Sequence, residues 1–340
     1  MKIILDKIGS VVKNANFSDE VELGDKIVST EGAILAVEVL EDKKVYNQLE
    51  LVSGRMSTLH KGDIIAVALG NRKALRGFVG KVPDAINVGE TINVLNLGGV
   101  AGICTSENVQ EVGHALKVKV LGAILKDNEP SNIKDYVLFK PLKDLDSCAK
   151  LIIVSGSCMH VGKTTVASEI IKHARRGGFK VMATKLSGVA ALRDVETMID
   201  YGAVNAVSFV DAGYPSTVAC EDSITVAKGA LKYLSDDNPD FIVIEFGDGI
   251  YGEYGVMDVL KDPQIQQYVV AHIGCAYDPP GALKMAEVCE EIGLPLTVMS
   301  GPISDNEVGV CFVEENIDVK AFNAFNSSEK LFSYLKEKCL

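Results

Sequence analysis

The feature that most constrains this chain is the run Leu151-Ile-Ile-Val-Ser-Gly-Ser-Cys-Met-His-Val-Gly-Lys-Thr-Thr165. An aliphatic stretch, Leu151 to Val154, leads into Gly156-x-x-x-x-Gly162-Lys163-Thr164. A helical pattern then runs from Val166 to Arg175 and stops at Gly177-Gly178. Strand, glycine-rich turn and helix N-terminus in that order predict a phosphate-binding loop. Backbone N–H groups of the turn converge on one concavity, where the helix dipole also favours negative charge. Gly156 and Gly162 allow a close approach that a Cβ would hinder, and Ser157, His160 and Val161 fill the turn between them. Lys163 can reach the β- and γ-phosphates, the Thr164 hydroxyl can ligate Mg²⁺, and Thr165 extends the cradle along the first helical turn. ATP and Mg²⁺ are the expected cofactors.

The chain of 340 residues is 47% hydrophobic, enough for about two full cores. Its net charge of −12 argues against nucleic acid as a partner, because neutralising phosphates needs a basic face. The N-terminus carries no signal-like apolar run, and no apolar stretch is long enough to span a bilayer. A cytoplasmic protein that contacts no membrane is expected, and a homodimer. The eight cysteines form no CxxC pair and no zinc spacing with histidine, so most are expected to be small core residues. Cys158 differs because it lies inside the phosphate loop. A reactive thiol beside a helix N-terminus is one reading there, and a variable loop position is the plainer one.

Two segments with different grammar follow from the patterning. Residues 1–148 read as a smaller β-rich, barrel-like domain. The repeat Glu22-Leu-Gly-Asp-Lys-Ile27, His60-Lys-Gly-Asp-Ile-Ile65 and Asn87-Val-Gly-Glu-Thr-Ile92 marks turns that open strands. Strands are predicted over 33–40, 64–69, 92–97 and 118–125. Asn128-Glu-Pro-Ser and the polar tract 140–147 read as connections between domains. Residues 149–340 read as a doubly wound α/β domain with a mostly parallel sheet. Predicted strands there are 151–154, 180–184, 206–210, 241–246, 268–273 and 296–299, and predicted helices are 163–176, 193–201, 222–234, 279–292 and 327–338. Asp278 and Ser327 are candidate helix caps. Ligands of such a sheet sit at the carboxyl ends of its strands.

Those strand ends carry further chemistry. Asp240-Phe-Ile-Val-Ile-Glu-Phe-Gly-Asp-Gly249 is an apolar strand ending in an acid and a glycine turn. Glu245 is placed to hold a magnesium-bound water, with Asp248 a second carboxylate at the same rim. Lys185, in Thr-Lys-Leu-Ser-Gly188, ends a strand expected beside the phosphate loop, and a lysine there is costly unless it meets an anion. Asp211, Tyr214, Ser216 and Thr217 follow another strand as substrate candidates, with plain turn and cap chemistry as the alternative. Gly301 and Pro302, in Ser300-Gly-Pro-Ile-Ser-Asp-Asn306, lie where a base can rest. Arg55, Arg72 and Arg76 of the β-rich segment are weaker candidates for anion recognition.

These residues also carry a family resemblance. The Gly-Ser-x-x-x-Val-Gly-Lys-Thr-Thr loop, the Thr-Lys-x-x-Gly strand end and the Glu-x-Gly-x-Gly turn resemble the P-loop branch of dethiobiotin synthetase. Cobyrinate amidases and the molybdopterin-guanine dinucleotide accessory protein belong to that branch. The order Ala-Thr-x-x-x-Gly, Asp-x-Gly, Ile-Glu-x-Gly-x-Gly is also similar to a P-loop family that contains a D-glutamate N-acetyltransferase. The resemblance covers roughly the C-terminal 190 residues and departs where Phe246 separates Glu245 from Gly247. It implies ATP-dependent carboxylate chemistry, with Lys185 and Glu245 at the phosphates and metal.

Three functions compete on this basis. The leading one is an ATP-dependent ligase or kinase that activates a small molecule, a carboxylate by preference, with Lys163, Lys185 and Glu245 catalytic. A regulatory or metallochaperone GTPase lacks support, since no Asn-Lys-x-Asp motif reads guanine anywhere in the chain. An acyltransferase cradling a coenzyme A phosphate is the third, and Glu245 speaks mildly against it.

Overall fold

A computed structural model describes residues 1–340. The chain forms two compact units. Unit 1 is Met1–Leu138 together with Val189–Arg193 and Phe209–Val218; unit 2 is Phe139–Gly188, Asp194–Ser208 and Ala219–Leu340. No helix is long and apolar enough to cross a membrane.

Unit 2 holds a seven-stranded, wholly parallel sheet. Its spatial order is Asn205–Ser208, Val181–Ser187, Phe241–Phe246, Lys150–Gly156, Val269–Cys275, Val298–Ser300 and Lys320–Ala321. The phosphate-loop strand is therefore central, and the acid strand Phe241–Phe246 is buried along its whole length. That burial explains the uniformly apolar sequence, since a parallel strand with both faces covered has no polar side. The helix Lys163–Arg176 turns Val166, Ala167, Ile170, Ile171 and Ala174 into the core at helical spacing. Leu331, Phe332 and Leu335 of the last helix, Ser328–Cys339, join the same core.

Most predicted elements of this unit differ from the observed ones by only a few residues at their ends. The strand predicted over 206–210 stops at Ser208, and Phe209–Ala212 form a 3-10 turn. The helices Val256–Lys261, Pro263–Gln266 and Glu307–Asn316 were not expected, and the first two are too short to show a periodic pattern. Asp278 caps its helix by accepting the Gly281 N–H at 2.9 Å. Ser327 does not cap: its hydroxyl donates to the Asn323 carbonyl at 2.8 Å. The strand of Lys185 is not next to the phosphate-loop strand, because the acid strand lies between them.

In unit 1, five strands close into a ring of backbone pairings: Ile34–Val39, Ile64–Leu69, Val100–Glu107, Thr91–Val94 and Leu116–Lys126. Alternate residues (Leu35 and Val37, Ile65 and Val67, Ile92 and Val94, Val118 and Val120) share one core. That alternation is what a small barrel filled by its own side chains requires. Gly62 and Gly89 sit in turns that open strands, as the repeat predicts, but Gly24 ends the strand Glu20–Gly24. The strand predicted over 92–97 stops at Val94. Glu129–Pro130 pairs back on Leu125–Lys126 as a hairpin, so Asn128–Ser131 is no connection between domains. Among the cysteines only Cys275 and Cys289 are buried, while Cys311 is exposed and the rest are half-buried, so most are not core residues.

Candidate functional site

The site is built at the carboxyl edge of the parallel sheet. Gly156 ends the central strand, the chain turns through His160 (φ 59°) and Gly162 (φ 83°), and the helix begins at Lys163. The acid turn packs directly on this loop. The Ile250 N–H donates to the Gly156 carbonyl at 2.9 Å, and a Cβ on Gly249 would stand 2.4 Å from the Ser157 carbonyl oxygen, so only glycine fits. On the other flank Gly301 adopts φ 87°, and a Cβ there would lie 2.5 Å from the Val161 carbonyl oxygen. Glycines at both flanks thus let two neighbouring loops close on the phosphate loop.

Three charged side chains converge at the floor. Lys163 is 6% exposed and donates to the Cys158 carbonyl at 2.8 Å. Burial pushes its ammonium below the ordinary range, with Glu245 and Asp248 among the groups that oppose the shift. Glu245 is 2% exposed, and its Oε1 accepts the Thr164 hydroxyl at 2.7 Å. Its Oε2 is buried without a hydrogen-bond partner. Burial raises the Glu245 carboxyl, while the Lys185 ammonium works in the opposite direction. Lys185 stands in register with Glu245 on the adjacent strand and forms an ion pair with Asp194. Asp248 holds φ 64°, and burial raises its carboxyl as well. Cys275 is buried and its thiol is pushed up to about 12, so it is no nucleophile.

An orphaned buried acceptor beside a threonine hydroxyl fits a bound cation. Thr164 and Glu245 are two oxygen donors, and no cluster of three His, Cys, Asp or Glu side chains exists to cage a metal. Magnesium is commonly held in this way, with one or two protein groups and the remaining positions taken by phosphates and water.

One cavity opens beside the loop and a second beside the acid turn. One, of about 210 Å³, is lined by His160, Thr165, Pro302, Asp305, Asn323 and Phe325 among others. Asn323 donates to Asp305 Oδ1 at 2.8 Å, and Phe325 is 80% exposed at the rim. The other is an open cleft of about 530 Å³ that includes Ile250–Glu253 of the acid turn together with Glu221 and Asp258.

The remaining sequence candidates belong to unit 1. Asp211, Tyr214, Ser216 and Thr217 are buried in unit 1, where Asp211 accepts from Lys13 at 2.7 Å and from Asn14 at 3.1 Å. Arg72 is buried, donates to Tyr46 at 2.9 Å and to the Leu95 carbonyl, and lies over the Phe78 ring. Arg76 pairs with Glu111 at the surface, and Arg55 is exposed. Asp194, Asp305, Asn323 and Phe325 were not foreseen as site residues. Of these only Asp305 carried a signal, its position inside the predicted base loop.

The fold is a parallel α/β sheet with a P-loop after its central strand. No family model matches the chain, and no curated protein matches it. Solved structures resemble the chain at low identity. The signal recognition particle receptor FtsY from Elizabethkingia anophelis in complex with GDP is 14% identical, with 60% of this chain and 69% of that chain covered and a TM-score of 0.38. A ParA family ATPase from Chlorobium tepidum is 13% identical over 55% of this chain and 92% of that chain, TM-score 0.33. A DUF1611 family protein from Anabaena variabilis is 11% identical over 63% and 66%, TM-score 0.42.

Proposed function

We propose that this protein binds Mg²⁺–ATP at the 156–165 loop and uses it to activate a small molecule, a carboxylate by preference, by phosphoryl transfer. The observation that carries this reading is the arrangement of Thr164, Glu245 and Lys185 beside Lys163, with one Glu245 oxygen buried and unsatisfied. A protein group in that position is costly unless a ligand completes it.

The loop amides and Lys163 hold the β- and γ-phosphates. Thr164 and Glu245 hold the magnesium ion, which neutralises charge on the phosphate oxygens when bound. Lys185, oriented by Asp194, faces the charge that develops on the transferred group. Such catalysis is mainly positioning and electrostatics, so no covalent nucleophile is needed. The base occupies the 210 Å³ cavity, where the Asp305 carboxylate can accept from an exocyclic amino group. The cleft beside the acid turn gives the acceptor room next to Asp248.

The test is nucleotide-induced thermal stabilisation. At a hundredfold excess over Kd, ATP with Mg²⁺ should stabilise the protein by about 2.7 kcal/mol. Lys163→Ala should abolish that shift while the protein remains folded. An undiminished shift in the variant removes the loop from the reading.

A further inference from the structure

We propose that Glu50 is a positioning residue for Lys185, acting through the first turn of the helix Leu192–Asp200. The inference rests on the reading above, in which Lys185 serves the transferred phosphoryl group.

The helix starts after Ala190-Ala191, and neither side chain can cap it. Its first N–H groups are satisfied from far away in sequence. Glu50 Oε2 accepts the Leu192 N–H at 2.6 Å, and Oε1 accepts the Arg193 N–H at 2.8 Å. The carboxylate is 3% exposed and also accepts the Ser10 hydroxyl. A buried carboxylate set across two orphan donors, where the helix dipole favours negative charge, replaces the missing local cap. Glu50 and residues 189–193 belong to the same compact unit, whose Asn96 side-chain amide also donates to the Ala190 carbonyl. The next residue along the helix is Asp194, and its carboxylate forms the ion pair with Lys185. Fraying of this turn therefore moves the group that orients Lys185.

A merely structural Glu50 would lower stability and leave Lys185 as it is. The experiment is amine-directed labelling of the full-length protein, read peptide by peptide by mass spectrometry. In the wild type, Lys185 should label slowly. Asp194→Asn should raise its rate about tenfold, and Glu50→Gln should raise it by a comparable factor, the scale of one lost helix cap. Exposed Lys150 serves as the unchanged reference. A folded Glu50→Gln variant with wild-type labelling of Lys185 overturns the proposal. Should that variant fail to fold, Glu50→Asp keeps the charge but retreats by one methylene. An intermediate Lys185 rate is then expected, and a wild-type rate overturns the proposal.

The kinetic arm separates the two readings. Glu50→Gln should lower ATP turnover about tenfold with nucleotide affinity changed by less than about threefold. Combining it with Asp194→Asn should slow turnover no further than Asp194→Asn alone, since both act through Lys185. Losses that multiply overturn the shared route. A wild-type protein that binds no nucleotide defeats the phosphoryl-transfer reading, while the labelling result still decides whether Glu50 positions Lys185.

Discussion

Lowering the pH should weaken this protein through one histidine behind the phosphate loop. His272 lies on the strand Val269–Cys275 and is 1% exposed. Its Nδ1 meets the Leu294 carbonyl at 3.1 Å, which fixes the ring proton there, so Nε2 accepts from the Ser155 hydroxyl at 2.6 Å. Ser155 directly precedes Gly156, so this bond steadies the end of the loop strand. Burial lowers the imidazole pKa from 6.5 to about 4. Between those values the unfolded chain binds a proton that the folded chain refuses. Stability from this group is therefore complete above pH 6.5 and is lost as pH falls toward 4. At about 1.36 kcal/mol per unit the full effect is about 3.4 kcal/mol, of which about 2 kcal/mol falls between pH 7.5 and 5.0. Urea unfolding of the wild type and of His272→Gln at both pH values isolates the contribution, because other titrating groups cancel in the difference. The variant should lose about 2 kcal/mol less than the wild type on acidification. Equal losses would show that His272 is not held neutral, and the Ser155 contact would then have to be redrawn.

Other outcomes follow from the same geometry. Glu245→Gln and Lys185→Ala should each lower ATP turnover by about two orders of magnitude or more, the worth of one transition-state contact. Calorimetry should show much smaller effects of both on nucleotide affinity. Lys13→Ala should destabilise the protein by about 3 kcal/mol, because it strips the ammonium that pairs with the fully buried Asp211; an unchanged urea midpoint would contradict the ion pair. ATP should be preferred to GTP in competitive titration, since no Asn-Lys-x-Asp motif reads guanine in the chain. GTP bound tenfold more tightly, about 1.4 kcal/mol, would reverse the assignment of the base.

What the sequence disclosed and what it hid divide along contact distance. The phosphate loop was legible because strand, turn and helix are contiguous from Leu151 to Arg176, and each has its own local cause. Glu245 and Lys185 were legible because a charge that closes an apolar strand stands out. Asp194 was not, since its meaning depends on a helix that brings it back to Lys185. Glu50 was hidden further still, because the helix N–H groups it accepts lie more than a hundred residues away in the chain. Asp211 follows a strand, as the sequence reads, and its contacts with Lys13 and Asn14 come from the far N-terminal part of the chain. The barrel was only partly legible. Its alternating strands and Gly-acid turns showed in the sequence, whereas the pairing of Thr91–Val94 with both Val100–Glu107 and Leu116–Lys126, which closes the ring, has no local signature.

Two buried acids of this chain are held in different ways. Lys228 pairs with Asp262 at 2.9 Å and donates to the Lys143 carbonyl at 3.1 Å, while Asp262 also caps the Ile265 N–H at 3.0 Å. Every group in that cluster is matched, as a buried pair must be to hold its place. Glu245 is different: one oxygen has Thr164, the other has nothing, and burial raises its carboxyl. A buried carboxylate with an unmatched oxygen adds little to the stability of the fold. Removing its charge should therefore cost the fold nothing, and Glu245→Gln should leave the urea midpoint unchanged or raise it even as turnover collapses. Destabilisation by more than about 1 kcal/mol, the worth of an ordinary hydrogen bond, would mark Glu245 as a structural acceptor for Thr164 and leave the magnesium assignment without support.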